Sequence, residues 1–187
     1  KDVRDWDLSD LRSNISYVSQ DPILYNDTIY NNLEEYNTYL LHGVTGSGKT
    51  EVYMRMLERV LAEGKQAIVL IPEIALTYQT VMRFYKRFGN RISILNSRMS
   101  NGERYDQMMR AKEGGVDVMI GPRSALFTPF PNLGLIVIDE EHEATYYQEN
   151  TPKYSAIRVA SFMAKEVKCP LILGSATPTI EDFYLAS

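Results

Sequence analysis

Cysteine is almost missing from this 187-residue chain. Cys169 stands alone, so the residues present can build neither an internal disulfide nor a thiolate metal cluster, and the composition fits a reducing compartment, here expected to be the cytoplasm. Its sequence setting predicts a small buried residue on a strand. No apolar run approaches the roughly 20 residues needed to cross a bilayer, and nothing resembles a secretory signal. No membrane partner is expected. Internal repeats and low-complexity tracts are absent too, which sets aside a repeat array. Neither sign of charge dominates, since 20 Lys and Arg face 24 Asp and Glu for a net of −4. The distribution is uneven. Residues 1–36 carry three basic against eight acidic side chains, a net of −5, whereas the remainder carries 17 against 16, a net of +1. An acidic head is a poor nucleic-acid arm, because phosphate repels it.

What is present suits one domain with a sizeable core, at 44% hydrophobic and 24% charged residues. From residue 39 onward, short apolar runs alternate with helical periods. Strands are predicted at 39–42, 67–71, 92–95, 116–120, 135–138 and 171–173, rich in Ile, Val and Leu on both faces, as a parallel sheet covered by helices requires. Helices are predicted at 75–87, 101–112 and 156–165, and before them in a segment with Tyr53, Met56, Leu57 and Val60 at i, i+3, i+4 and i+7. The alternation gives an α/β, doubly wound fold. Ahead of it, "DLSDLRSN" reads as a short helix capped by Ser9 or Asp7 and "ISYVS" as a strand able to add to the sheet edge, with a boundary at residues 36–39.

Two segments carry chemistry. "GVTGSGKT" satisfies G-x-x-x-x-G-K-[ST] with Gly43, Gly48, Lys49 and Thr50, between a predicted strand and a predicted helix. With Gly46 and Ser47 these residues form a turn whose N–H groups can converge on phosphate oxygens. Lys49 then reaches the terminal phosphates and Thr50 offers its hydroxyl to Mg²⁺. The implied cofactors are ATP and Mg²⁺. Ninety residues after Lys49, the run "LGLIVIDEEHEA" ends a strand in Asp139, Glu140, Glu141 and His142. Asp139 is placed to hold the metal and Glu140 to orient or deprotonate the attacking water. An acidic cluster by itself is more often a solvated helix start.

"LLHGVTGSGKTEVYM", "IPEIALT", "GPRSALFTPF", "LIVIDEEHEA" and "LGSATPT" follow the order and spacing of helicase motifs I, Ia, Ib, II and III. Residues 39–187 thereby resemble the first RecA-like ATPase lobe of superfamily 2 primosomal helicases of the PriA type. The resemblance implies ATP hydrolysis coupled to movement on single-stranded or forked DNA, alongside primosome proteins. It implies DNA contacts at Pro72, Thr77, Arg123 and Ser124, and coupling of hydrolysis to DNA through His142, Ser175, Ala176 and Thr177. Tyr146, Tyr147 and Tyr154 fall where that family has an aromatic loop that senses single strands; base stacking and core packing are both open to them. Simpler roles are open elsewhere: a surface ion pair for Arg123, a cap for a helix near Thr179 from Ser175 or Thr177, a satisfied histidine at His142. Asn96 and Ser155 stand where the family pattern has His. The family's arginine finger comes from a second lobe, so little turnover is expected of this lobe alone.

Residues 1–37 resemble a different family, the Q-loop region of ABC transporter ATPases, with Gln20 as the loop glutamine. The order is reversed, because an ABC domain places that loop after its phosphate loop, and no LSGGQ-like signature accompanies it. The expectation is a chimera whose helicase part dominates, with an ABC-like coupling module and an inactive assembled fold as alternatives. Oligomeric state is not legible.

Overall fold

The computed structural model describes the backbone of Ile15–Tyr17 together with residues 37–44 and 46–177. A seven-stranded sheet, parallel throughout, runs in the order β1-β2-β9-β6-β3-β5-β4. Its strands are β1 (Ile15–Tyr17), β2 (Thr38–His42), β3 (Gln66–Leu70), β4 (Ile92–Ile94), β5 (Val118–Gly121), β6 (Leu133–Ile138) and β9 (Leu171–Ser175). A small antiparallel hairpin, β7 (Tyr147–Gln148) with β8 (Tyr154–Ser155), lies outside it. The helices are α1 (Lys49–Ala62), α2 (Tyr78–Phe88), α3 (Asn101–Lys112) and α4 (Ala156–Val167).

The period of two decides which face each strand residue serves. On β3, Ala67 and Val69 join α1 and α2 through Met56, Leu57 and Phe84, while Ile68 and Leu70 join Ala111 of α3 and Ala160 and Ala164 of α4. All of these residues are buried, so both faces of the sheet are covered and its central strands have no polar side to offer. The expected α/β parallel architecture is the one observed. Because every strand runs the same way, their C-terminal ends share one edge of the sheet. Phosphate loop, acidic cluster and motif III thus arrive together from β2, β6 and β9, and motifs Ia and Ib from β3 and β5.

Local chemistry sets several boundaries. Ser100 and Glu103 form a reciprocal capping box that starts α3 at the expected residue. Helix α2 begins at Tyr78, three residues later than its apolar pattern suggests. The Pro72 carbonyl accepts from the N–H groups of Ala75 and Leu76 and makes a turn, after which Thr77 takes extended backbone and caps the helix through Thr80 N–H. Cys169 is buried as expected but lies in the link after α4, not on a strand. Burial pushes its thiol up to about 12. The backbone of Ile15–Tyr17 pairs with Leu40–His42, with Ile15 opposite Leu40. Gln20, the helix expected around Ser9, and the cap of a helix near Thr179 lie outside the described residues.

Candidate nucleotide-binding site

The phosphate loop leaves β2 and turns directly into α1. Gly46 and Gly48 have φ of 83° and 95°, a left-handed backbone that a side chain would strain. Gly48 is also the N-cap of α1, and no side chain caps the helix there, so its first N–H groups keep their donor capacity for an anion. Ser47 is buried, and its Oγ has no hydrogen-bond partner among the described residues. Uncapped donors, left-handed glycines and an orphaned buried hydroxyl fit a loop built to close on phosphate.

Lys49 is 6% exposed and is held from two sides. Its Nζ donates to the Gly43 carbonyl at 2.7 Å and lies 3.4 Å from Glu140 Oε1. Gly43 N–H in turn donates to the Ser175 carbonyl at 3.0 Å, so the phosphate loop is registered against motif III. Ser175 Oγ sits 3.2 Å from His142 Nδ1 and accepts from Thr177 N–H. His142 Nδ1 is 3.7 Å from both Glu140 Oε2 and Glu141 Oε2, which closes a ring around the site. The Ala176 carbonyl is 3.2 Å from His42 Nε2, a second tie between β2 and motif III. Lys49, Glu140, His142, Ser175 and Thr177 are thus linked through successive polar contacts, with Gly43 between Lys49 and Ser175.

Asp139 leaves β6 with its N–H bonded to the Leu70 carbonyl. Burial raises its carboxyl above the usual carboxylate range, opposed by a 3.0 Å hydrogen bond from the Tyr53 hydroxyl. The same contact, with burial as the larger cause, holds the Tyr53 phenol well above its ordinary value. Glu140 follows with φ of 49°, unusual for a non-glycine residue, and this turn directs its carboxylate towards Lys49. These groups open on a cleft of about 670 Å3. Gly46, Gly48, Lys49, Thr50, Asp139 and Glu140 line one side, and Arg83, Lys86 and Arg87 of α2 face them. Arg87 is bound by Glu58 and Glu51 at 2.6 and 2.8 Å, which ties α2 to α1. No group of three or more His, Cys, Asp and Glu side chains among the described residues is arranged to cage a metal unaided. Thr50 and Asp139 across one cleft fit Mg²⁺ shared with phosphates, the usual habit of that ion.

The residues expected along a DNA path sit at the ends of the neighbouring strands β3 and β5. Pro72 is buried, and the Thr77 hydroxyl is spent on the cap of α2. Arg123 and Ser124 begin a 3₁₀ turn, Arg123–Phe127. Arg123 Nη1 donates to the carbonyls of Thr145 and Tyr147 at 2.8 and 2.9 Å. Tyr146, between those two, is 1% exposed and belongs to the core; its hydroxyl donates to the Asp139 carbonyl at 2.6 Å and lies 3.2 Å from that of Leu70. Tyr147 is exposed, and Tyr154 packs edge-on against Phe127 with ring centroids 5.5 Å apart. Of the two departures from the family pattern, Asn96 closes a turn onto Arg98 N–H and Ser155 caps α4. Sequence reasoning missed Tyr53 as a site residue. The available signal was a tyrosine on the buried face of a helix, since a buried phenol usually has a partner.

The sequence matches the DEAD/DEAH box helicase family over residues 25–184, a match that begins inside the segment set apart as the head. It is 53% identical over 153 residues to the replication restart protein PriA of Bacillus subtilis (strain 168), covering 82% of this chain and 19% of that protein. The chain thus spans about a fifth of the length of the PriA relatives it matches. The helicase domain of Pyrococcus furiosus Hef superposes with a TM-score of 0.58 at 24% identity, covering 88% of this chain and 35% of that one. RecG bound to a three-way DNA junction gives 0.55 at 26%, covering 79% and 19%. With the fold, the phosphate loop and the acidic cluster in agreement, the chain belongs to the DEAD/DEAH box helicase family and carries its RecA-like, ATP-binding lobe.

Proposed function

We propose that this lobe binds ATP with Mg²⁺ and is the hydrolytic half of a PriA-like replication-restart helicase acting on single-stranded or forked DNA in the cytoplasm, with primosome proteins as partners. The observation that carries the reading is the ring joining Lys49, Gly43, Ser175, His142 and Glu140, because it links the phosphate loop to motif III by direct contacts. No helix among the described residues is long and apolar enough to cross a membrane.

The N–H groups of Gly46, Gly48, Lys49 and Thr50, the Ser47 hydroxyl and the Lys49 ammonium would hold the phosphates, and Thr50 and Asp139 would hold the metal. Bound Mg-ATP supplies the phosphoanhydride and the charge that activates it. Lys49 is held by the Gly43 carbonyl and Glu140, so its charge is desolvated and fixed in the phosphate loop. Glu140 then holds the attacking water and takes its proton, with its backbone turn fixing the approach. His142 and Ser175 carry the resulting change in Glu140 to β9 and on to Thr177. Pro72, Thr77, Arg123 and Ser124 would line the DNA path, the first three by shaping the backbone there.

The likeness of residues 1–37 to an ABC Q-loop region adds a second proposal, a chimera of two P-loop proteins, of which the parallel pairing of β1 with β2 supports only the added edge strand. Calorimetric titration of Mg-ATP, with turnover measured with and without single-stranded DNA, tests the proposal. Saturable binding with slow turnover is expected; no binding at millimolar ATP would end it.

A further inference from the structure

Helix α1 sends one side chain straight across the sheet edge to the acidic cluster. The Tyr53 hydroxyl donates to Asp139 Oδ1 at 3.0 Å, although the ring is 1% exposed and the other residues on its helix face, Met56, Leu57 and Val60, are plain core. The strand beside it is cut away to let the hydroxyl through. A Cβ placed on Gly174 would fall on the Tyr53 oxygen, and would lie 2.9 Å from Tyr53 Cζ and 3.2 Å from Asp139 Oδ1. Glycine inside a fully buried strand weakens it and is expected where another group approaches closely. Gly174 also receives the next turn of the acidic cluster, since its carbonyl accepts Glu141 N–H at 3.0 Å. A phenylalanine at position 53 would fill the same core without a buried hydroxyl to satisfy. The hydroxyl is therefore there for Asp139.

We infer that Tyr53 is a positioning residue for Asp139, with Gly174 as the gap that admits it: the hydrogen bond fixes one carboxylate oxygen so that the other faces the cleft and the metal. The inference rests on the proposed metal role of Asp139. Tyr146 fixes the same residue through its main-chain carbonyl, so Asp139 is held at both ends by phenols from two different elements.

The test is calorimetric titration of ADP with Mg²⁺ and with EDTA, on the wild-type chain, Tyr53→Phe, Asp139→Ala and the core control Val60→Ala. Wild type should bind ADP more tightly with Mg²⁺. Tyr53→Phe should lose about tenfold of that Mg²⁺-dependent gain, as expected for one hydrogen bond to a charged acceptor, and keep its affinity in EDTA. Val60→Ala should lower the Tm and leave the gain unchanged, the behaviour of a purely structural role. If Asp139→Ala abolishes the gain while Tyr53→Phe retains it whole, the positioning role is overturned and the metal role stands. If Asp139→Ala keeps the gain, the metal role and the positioning role fall together. A second readout does not depend on Tyr53→Phe folding: Gly174→Ala, which drives the hydroxyl off Asp139 in an otherwise wild-type chain, should reduce the same gain. An undiminished gain in a folded Gly174→Ala protein would also overturn the inference.

Discussion

Two stretches of one sheet edge treat their polar groups differently. At the ends of β2, β6 and β9, buried and half-buried groups are tied to each other, yet the phosphate donors at the start of α1 are left without a cap. At the ends of β3 and β5 the reverse holds. The Thr77 hydroxyl is used as a helix cap and one nitrogen of Arg123 is fastened to two carbonyls of its own chain. The first stretch stores capacity for a ligand, and the second spends its capacity on shape. A phosphate loop has to meet a dense, fixed charge, which rewards donors kept in waiting. A surface that binds a polymer backbone in many registers needs an exact platform with only a few free groups.

The largest effect expected from this contrast is at Lys49. Replacing it with Ala removes the one ammonium held within the phosphate loop, and Mg-ATP affinity should fall about 100-fold, ~2.7 kcal/mol, as for a charge-assisted contact. Its removal leaves the Gly43 carbonyl without the 2.7 Å bond and Glu140 without its 3.4 Å partner, so the melting temperature should fall modestly while the fold persists. Equal affinities for wild type and Lys49→Ala would erase the difference between the two stretches.

Arg123→Ala comes next. Its two bonds to Thr145 and Tyr147 join the 3₁₀ turn to β7, and their removal should cost about 1–2 kcal/mol locally. Amide exchange at residues 145–148 should accelerate by roughly tenfold while α1 stays protected. Unchanged exchange would show that Arg123 faces outward and contributes no shape. For Thr77→Ala, losing the α2 cap should lower stability by about 1 kcal/mol and leave Mg-ATP affinity alone. A change in ATP affinity instead would place Thr77 in the nucleotide site.

How far the residues alone revealed this follows from the range of each signal. Parallel strands buried on both faces announce themselves as apolar runs, and β3 to β6 and β9 lie where Ile, Val and Leu cluster. Helix α3 was legible to the residue because Ser100 and Glu103 write its start locally. Motif spacing named Lys49, the acidic end of a predicted strand named Asp139 and Glu140, and the family resemblance singled out His142 and Ser175, which meet at 3.2 Å. The start of α2 was not legible, since the turn from Pro72 consumes residues whose apolar pattern continues the helix. Nor was the β7–β8 hairpin, whose two-residue strands carry no period. Tyr146 and Tyr147 look alike in sequence, yet one is core and the other surface. Tyr53 stayed hidden because its partner is 86 residues away in the chain, and only the assembled sheet edge brings them together.

The smallest effect, and the sharpest for the comparison, belongs to Ser124. It is half-buried beside Arg123, and its hydroxyl has no hydrogen bond among the described residues, unlike that of Thr77. If the β3 and β5 stretch is a platform with few free groups, Ser124 is one of them, and its Oγ is available to a phosphate oxygen. Ser124→Ala removes an oxygen without leaving a buried partner stranded, so stability should hold within about 0.5 kcal/mol. Affinity for single-stranded DNA should fall only a few-fold, ~1 kcal/mol for one neutral hydrogen bond. The log-log salt dependence should keep its slope, because that slope counts cationic contacts and Ser124 carries no charge. Fluorescence anisotropy with a labelled oligonucleotide at several salt concentrations reads both quantities. An unaltered affinity would move the free group of this stretch elsewhere, to the Nε and Nη2 of Arg123. A changed slope would mean that Ser124 holds the guanidinium in place, making even this hydroxyl part of the platform.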